Sequence, residues 1–461
     1  MTLTAETGET GKAAETAETA ERRAVRSGPA APPHPLRAEA VRGFAPWAGA
    51  GVFLTTAVAL AAVADRWQGG WAETRTELHS VLLVLVPLAA AAGCRQGGRE
   101  RRRGTEELWG TAVRGPLVRL LAAALPLALW VAAGYLLAVA GALLATWPYA
   151  RGDRPYPDLL PADTVVLVAA AVAGHVVGRL VPWRPVVPLV AVGGYLGLAL
   201  SGQASAGRAR YLDPVPPVAE GLVPVAWQPA ATAVWAAGLA AAAVLAYAAR
   251  RRYAALLPLA AATAAGALLV QTGPGLWHAN PAERGQVCTT STSPQICVNA
   301  RYGGLLPQVT KALSGITGRL EGVRNLPVRF EDRLGEPSDG EAQLPMLSPI
   351  GRSVVRGRLT DPEQYAWEAV LALQDRAGCG AVAASVRTVD DAVSGFLAPS
   401  PAQEYFDDLD ARGDAAARAG LKERQMARVR LKSMGAEERR TWLSAYFATA
   451  GECAPSGVPA L

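Results

Sequence analysis

The feature that most constrains this chain is the block structure of its apolar residues. They run in stretches of about 17 to 25 residues nearly free of Asp, Glu and Lys, each long enough to cross a hydrocarbon core about 30 Å thick. A soluble core does not require such blocks. Whole-chain averages do not settle the class, because 461 residues with 51% hydrophobic content and a mean hydropathy of +0.17 also suit a large globular protein. Ala, Leu, Val and Gly dominate the blocks, and small residues let helices approach closely in lipid, where no hydrophobic drive pulls one helix to another. The expected fold class is therefore an all-α integral membrane protein with about seven transmembrane helices, carrying a mainly helical, disulfide-stapled extracytoplasmic domain.

The expected spans are Ala45 to Ala64, Ser80 to Cys94, Pro116 to Trp147, Thr164 to Val181, Pro185 to Ser201, Ala230 to Ala249 and Ala254 to Thr272. Residues 1–35, rich in Thr, Ala, Glu and Gly, read as a disordered cytoplasmic tail with no apolar stretch to serve as a signal peptide. Residues 36–274 form the permease-like membrane domain and 275–461 the outer domain. Lys and Arg concentrate in short cytoplasmic loops, and the segments assigned inside hold about 18 of them against about 6 outside. Seven crossings then place the N-terminus in the cytoplasm, and everything after Thr272 beyond the cell membrane. Trp67, Trp71, Trp147, Tyr149, Trp227 and Trp277 fall at the expected outer interface, where amphipathic rings prefer to lie.

The cysteines test this topology independently, since disulfides persist only in oxidising compartments. Four of the five, Cys288, Cys297, Cys379 and Cys453, lie beyond Thr272. Cys288 and Cys297 bracket a short Ser/Thr/Pro loop, while Cys379 follows one expected helix and Cys453 ends another. We favour pairing Cys288 with Cys297 and Cys379 with Cys453, although four cysteines allow three connectivities and sequence alone does not choose among them. Buried free thiols are the competing reading.

Beyond Gly275 charge is frequent and nearly balanced, about 21 basic against about 22 acidic residues, and apolar residues recur at helical spacing. Helices are expected over Leu305 to Val323, Pro362 to Ala377, Thr388 to Leu397, Pro401 to Arg412, Asp414 to Met434 and Ala436 to Ala450. Asp361-Pro362 and Ser400-Pro401 each place a capping side chain before a first-turn Pro. Val328 to Glu331 alternates like a strand, and Gly335 to Pro349 reads as loop. The domain carries no recognisable chemistry. The four histidines, His34, His79, His175 and His278, are too scattered for a zincin motif, no G-x-S-x-G elbow occurs, and Cys spacing suits bridges better than zinc. Acidic clusters at Asp390-Asp391 and Asp407-Asp408-Asp410 read as solvated helix faces or caps rather than ion sites. No catalytic residue, metal, cofactor or nucleic-acid partner is expected.

Within the spans, ionisable residues are costly and mark function where they occur. His175 and Arg179, four apart on one face of the fourth span, are the pair the sequence offers, either as a helix contact with a snorkelling anchor or as a substrate or proton site. The spans hold no carboxylate, which speaks against a proton-coupled secondary transporter.

The most informative loop reads Arg99-Glu100-Arg101-Arg102-Arg103-Gly104-Thr105-Glu106-Glu107-Leu108, with Arg114-Gly115-Pro116 opening the third span. It resembles the first cytoplasmic loop of type-2 ABC exporter permeases, where a run like E-R-E-x-G-T-x-E-x-L and a later Pro separate the second and third spans. The resemblance covers about 20 residues tightly and the first six spans loosely. It implies that Glu100, Arg101, Gly104, Thr105, Glu106 and Leu108 occupy coupling-helix positions, which carry the ATPase stroke into the membrane helices. It also likens Pro35 to Pro46 to an elbow helix, and Arg208 to Gln228 to an outer re-entrant element. A seventh span and an outer domain depart from the simplest members, and the loop also reads as a generic positive-inside anchor.

A P-loop needs G-x-x-x-x-G-K-[ST], and none of Lys12, Lys311, Lys422 and Lys432 has that setting. The expectation is a non-enzymatic permease subunit in contact with membrane lipid, working with a separate P-loop ATPase as a homodimer or heterodimer of permease halves, exporting an unidentified substrate. Two other readings stay open: a non-transporting sensor or assembly protein with an outer binding domain, and a membrane-embedded enzyme.

Overall fold

The computed structural model describes residues 41, 43–104, 115–150, 152, 154–203, 207–216, 221–333, 338, 340–349, 353–376, 378–453 and 457–461. Among these, six helices are long and apolar enough to cross a membrane: α1 (Ala45–Ala62), α2 (Trp71–Gly97), α3 (Pro116–Thr146), α4 (Leu160–Leu180), α6 (Gln228–Ala248) and the segment Arg252–Leu276, whose α-helical part is α7 (Leu256–Thr272). The chain is thus a multi-pass α-helical membrane protein. The expected fifth span forms an apolar helix, α5 (Val186–Gln203), which is not among these six. Of the seven expected spans, six are thus met by helices long and apolar enough to cross, with α5 as the remaining apolar helix.

The helices approach through missing side chains. A Cβ on Gly93 would stand 1.9 Å from the Ala171 carbonyl oxygen, one on Gly97 2.1 Å from that of His175, one on Gly174 2.0 Å from that of Ala90 and one on Gly178 2.1 Å from that of Cys94. Two small-xxx-small stripes therefore let the α2 and α4 backbones touch. Gly49 and Gly134 do the same for α1 and α3, each facing the other's carbonyl. Cys94, the free cysteine, is buried in the α2–α4 contact.

Helix α2 begins nine residues before the expected Ser80, at Trp71, and runs through a turn at Val81 into its apolar half. Trp71 and Leu78 are buried at helical spacing with Leu82 and Leu85, so the polar segment Trp71–Ser80 continues the same buried face. Trp67 and Trp71 are accordingly inside the protein rather than in an exposed aromatic belt. The Trp67 indole donates to the Leu60 carbonyl at 2.8 Å, and Trp71 packs edge-on against Trp147 with centroids 6.0 Å apart. Trp147 itself is exposed.

The C-terminal domain is a mixed unit rather than a purely helical one. Six helices, α8 (Leu306–Arg319), α9 (Pro362–Gln374), α10 (Ala384–Leu397), α11 (Pro401–Ala411), α12 (Ala415–Ser433) and α13 (Ala436–Phe447), match the expected segments within a few residues. They pack against a four-stranded sheet ordered β3 (Gln286–Cys288), β4 (Gln295–Asn299), β5 (Arg329–Glu331) and β6 (Glu341–Gln343). β3 and β4 are antiparallel and the remaining pairs parallel. Strand β6 lies inside the segment expected to be loop. Ile296, Leu313, Phe330, Val370 and Tyr446 sit in one continuous core. Asp361, Ser400 and Asp414 accept from the amides of Gln364, Ala402 and Ala417 as N-caps.

Both favoured disulfides are formed, Cys288–Cys297 across the β3–β4 hairpin and Cys379–Cys453 tying the segment after α9 to the end of the domain. The acidic clusters pair with arginines. Arg428 binds Asp391 and Asp407, Arg424 binds Asp410, and Arg376 binds Asp390 at 3.0 Å. Burial works against the Arg428 charge, but its two carboxylate partners outweigh that and push its guanidinium above the ordinary arginine range.

Candidate functional site

Two polar assemblies sit at opposite ends of α4, one at each extremity of the helix bundle. At the basic end, Arg179 in the last turn of α4 joins three of the residues singled out from sequence. Its Nη2 donates to Glu100 Oε1 at 2.7 Å, its Nε to His175 Nε2 at 3.2 Å, and its carbonyl accepts from Arg101 Nη2 at 2.9 Å. Glu100 and Arg101 lie in a single helical turn, Arg99–Arg102, immediately after α2. Gly104 follows with a left-handed φ of 66° and open space where a Cβ would stand. Thr105, Glu106 and Leu108 lie outside the described residues, as do most of Pro35 to Pro46. Geometry therefore unites Glu100, Arg101, His175 and Arg179, and ties the loop after α2 to the foot of α4.

The other end holds a larger assembly that the sequence did not announce. His79 Nδ1 and Asp163 Oδ1 are 2.9 Å apart, and the Tyr135 hydroxyl donates to Asp163 Oδ2 at 3.1 Å. All three are buried. The expectation that the spans hold no carboxylate is corrected here, because α4 starts at Leu160 and takes Asp163 into its first turn. One turn nearer the end of the bundle, the Thr74 and Thr146 hydroxyls meet at 2.7 Å. Arg75, buried, donates to Asp158 Oδ2 at 3.1 Å and to the Leu222 carbonyl at 2.9 Å, with Tyr156 beneath its guanidinium. Glu73, also buried, receives the guanidinium of Arg301 and the hydroxyl of Tyr302 from the C-terminal domain.

This last contact seats the domain on the bundle. Around it, Asn280 Nδ2 donates to the Tyr156 hydroxyl at 3.0 Å, and β1 (Leu222–Pro224) pairs antiparallel with β2 (Trp277–Ala279). Arg356 Nε donates to Gln68 Oε1 at 2.7 Å from the turn between β7 (Val354–Val355) and β8 (Arg358–Leu359). The described part of Arg208 to Gln228 is therefore a short 3-10 turn, Arg208–Leu212, and a strand beneath the domain.

Among the described residues no group of three or more His, Cys, Asp or Glu is placed to hold a metal. Both assemblies are suited to holding elements together through charge. The basic-end cluster is partly open, with Glu100 and Arg179 side chains 19% and 17% exposed, while the Glu73–Arg301 pair is sealed at 5% and 7%. Solvent reaches the first pair, whereas the second is closed to it. The clue to the sealed end was the run Trp71-Ala72-Glu73-Thr74-Arg75-Thr76-Glu77-Leu78-His79, which has no Gly or Pro to break a helix and keeps the apolar spacing of the span that follows. No family model, no curated protein and no solved structure matches this chain.

Proposed function

We propose that the chain is the membrane-spanning subunit of an ABC exporter, driven by a P-loop ATPase on a separate polypeptide and assembled from two permease halves. In this reading α5 also crosses the membrane, the basic end faces the cytoplasm and the C-terminal domain lies outside. The single observation that carries it is the clasp of Glu100 and Arg101 on Arg179. A coupling element must be fastened to a membrane helix, and this one is fastened to the helix whose backbone touches α2 along four glycines. Movement of the loop would thus load α2 and α4 as a pair. The two disulfides and the inside excess of Lys and Arg support the orientation.

The test is co-purification of the chain with a P-loop ATPase encoded beside it. Glu106→Arg combined with Gly104→Trp is expected to release the ATPase and abolish its stimulation by the membrane subunit. Full binding and full coupling in that variant would overturn the assignment. A protease-protection assay that found the segment after Trp277 in the cytosol would overturn the orientation. The sealed Glu73–Arg301 contact favours a second reading, a sensor whose outer domain passes ligand occupancy to the bundle. Absence of any ATPase partner, with signalling intact, would select it.

A further inference from the structure

The C-terminal domain contains a cavity of about 480 Å³ between α8, α9 and the end of α10, a size suited to a small organic ligand. Its floor is apolar: Ile316, Leu359, Ala366 and Leu397 line it and are buried. Space is open beside Gly315, where a Cβ would meet only the tip of Arg319 at 3.8 Å. One wall carries Lys311 and Arg319, two turns apart on α8 and flanking Gly315. Among the described residues Lys311 pairs with no carboxylate. Arg319 spends one donor, Nη1, on the Leu397 carbonyl at 2.8 Å and stands over the Phe396 ring, which leaves other donors of its fork available. Glu363 on the opposite rim lies in the first turn of α9, where the helix dipole already balances a negative charge. The unmatched charge of the cavity is therefore positive, and it borders an apolar floor.

We propose that this cavity binds a single-tailed anionic amphiphile, with the tail on Ile316, Leu359 and Leu397 and a carboxylate or phosphate head beside Lys311 and Arg319. The position of the cavity fits a ligand that comes from or goes to a bilayer. Gln308, on its wall, donates to the Gly357 carbonyl at 3.2 Å and accepts from the Leu359 amide at 3.0 Å. These bonds hold the β7–β8 turn, whose Arg356 reaches Gln68 and whose Gly357 abuts the Tyr149 carbonyl at the end of the bundle. An occupant would thus sit two contacts away from the membrane helices. The proposal does not depend on the exporter reading, and its test uses neither an ATPase nor transport.

The full chain, disulfides intact, is placed in nanodiscs of phosphatidylcholine and irradiated with a long-chain carboxylate bearing a diazirine in its tail. The matching phosphate monoester, the uncharged alcohol and a diazirine-bearing phosphatidic acid serve as parallel probes. Carboxylate and phosphate monoester are expected to label α8 and β8, with the alcohol about tenfold weaker. Labelling by the single-chain probes alone supports a single-tailed ligand, whereas equal cavity labelling by the two-tailed phosphatidic acid would overturn it. Lys311→Glu is expected to cut labelling about tenfold. Gly315→Leu, which fills the cavity and favours the helix, is expected to abolish it, with the melting temperature held in both variants. Equal labelling by the alcohol, labelling confined to the bundle, or indifference to Lys311→Glu would overturn the proposal.

Discussion

The bundle and the C-terminal domain both bury large apolar side chains, but the bundle adds backbone-to-backbone approaches at glycine. In the bundle, contact is closest where side chains are absent, at Gly93 and Gly97 against Gly174 and Gly178, and backbone carbonyls fill the space a Cβ would take. In the domain, Ile296, Leu313 and Phe330 are fully buried in a core between sheet and helices. Lipid tails are as apolar as leucine, so a large apolar residue gains nothing by leaving lipid for a helix interface, whereas the same residue in water gains by burial. The residues that tolerate change least should therefore be small in one half and large in the other.

The largest effect expected from this contrast is that of Gly174→Leu. The added atoms would meet the Ala90 carbonyl, a piece of backbone that cannot swing aside, so α2 and α4 must separate. A loss above about 4 kcal/mol is expected, seen as failure to purify a monodisperse chain while the two disulfides still form in the domain. A monodisperse Gly174→Leu protein of unchanged melting temperature would break the contrast. Phe330→Ala comes next and acts in reverse, with a loss of about 3 to 5 kcal/mol confined to the domain. Hydrogen exchange on the purified chain would read it as faster exchange in β4 and β5, with protection of α2 and α4 retained.

Where the halves meet, the contrast gives way to charge. Glu73→Ala removes the buried carboxylate that receives Arg301 and Tyr302, and a loss of about 3 kcal/mol is expected. Replacing Arg301 by Met in the same protein should restore part of it, because two apolar groups cost less than a buried charge that has lost the Glu73 carboxylate. Simple addition of the two losses in thermal melts would show that the pair is not coupled.

Much of the domain was legible because local chemistry specified it. Asp361-Pro362, Ser400-Pro401 and Asp414 are start signals that work within one turn, and all three cap the helices they precede. The link between His175 and Arg179 was legible for the same reason, being one helical turn long. Of the strands only β5 was, through the alternation of Val328 to Glu331; the others gave no such sign, and β6 was hidden in a run of loop-like residues. His79 and Asp163 were missed by a single residue each. Both stand just outside the apolar blocks that defined the expected spans, so the pair dropped out of the membrane inventory although it is buried. Glu73 and Arg301 are 228 positions apart, and nothing local in either segment names the other. Apolar periodicity continuing through Trp71 and Leu78 was the one available sign that the helix, and the burial, began early.

The smallest effect belongs to the clasp at the basic end, and it discriminates most finely between the two ends of α4. Glu100 and Arg179 are partly exposed, so water and salt screen their attraction, and the helical turn that carries Glu100 must be ordered to make the contact. A double-mutant cycle with Glu100→Gln and Arg179→Gln is expected to give a coupling of about 1 kcal/mol or less, shrinking as salt is raised. The same cycle on Glu73 and Arg301 should give a larger coupling that salt does not change, because that pair is closed to solvent. A basic-end pair that proved as strong and as indifferent to salt as the sealed one would mean that the loop after α2 is locked to α4. A locked loop could not yield to a motor, and the assignment of Glu100 and Arg101 to a moving contact would have to be withdrawn.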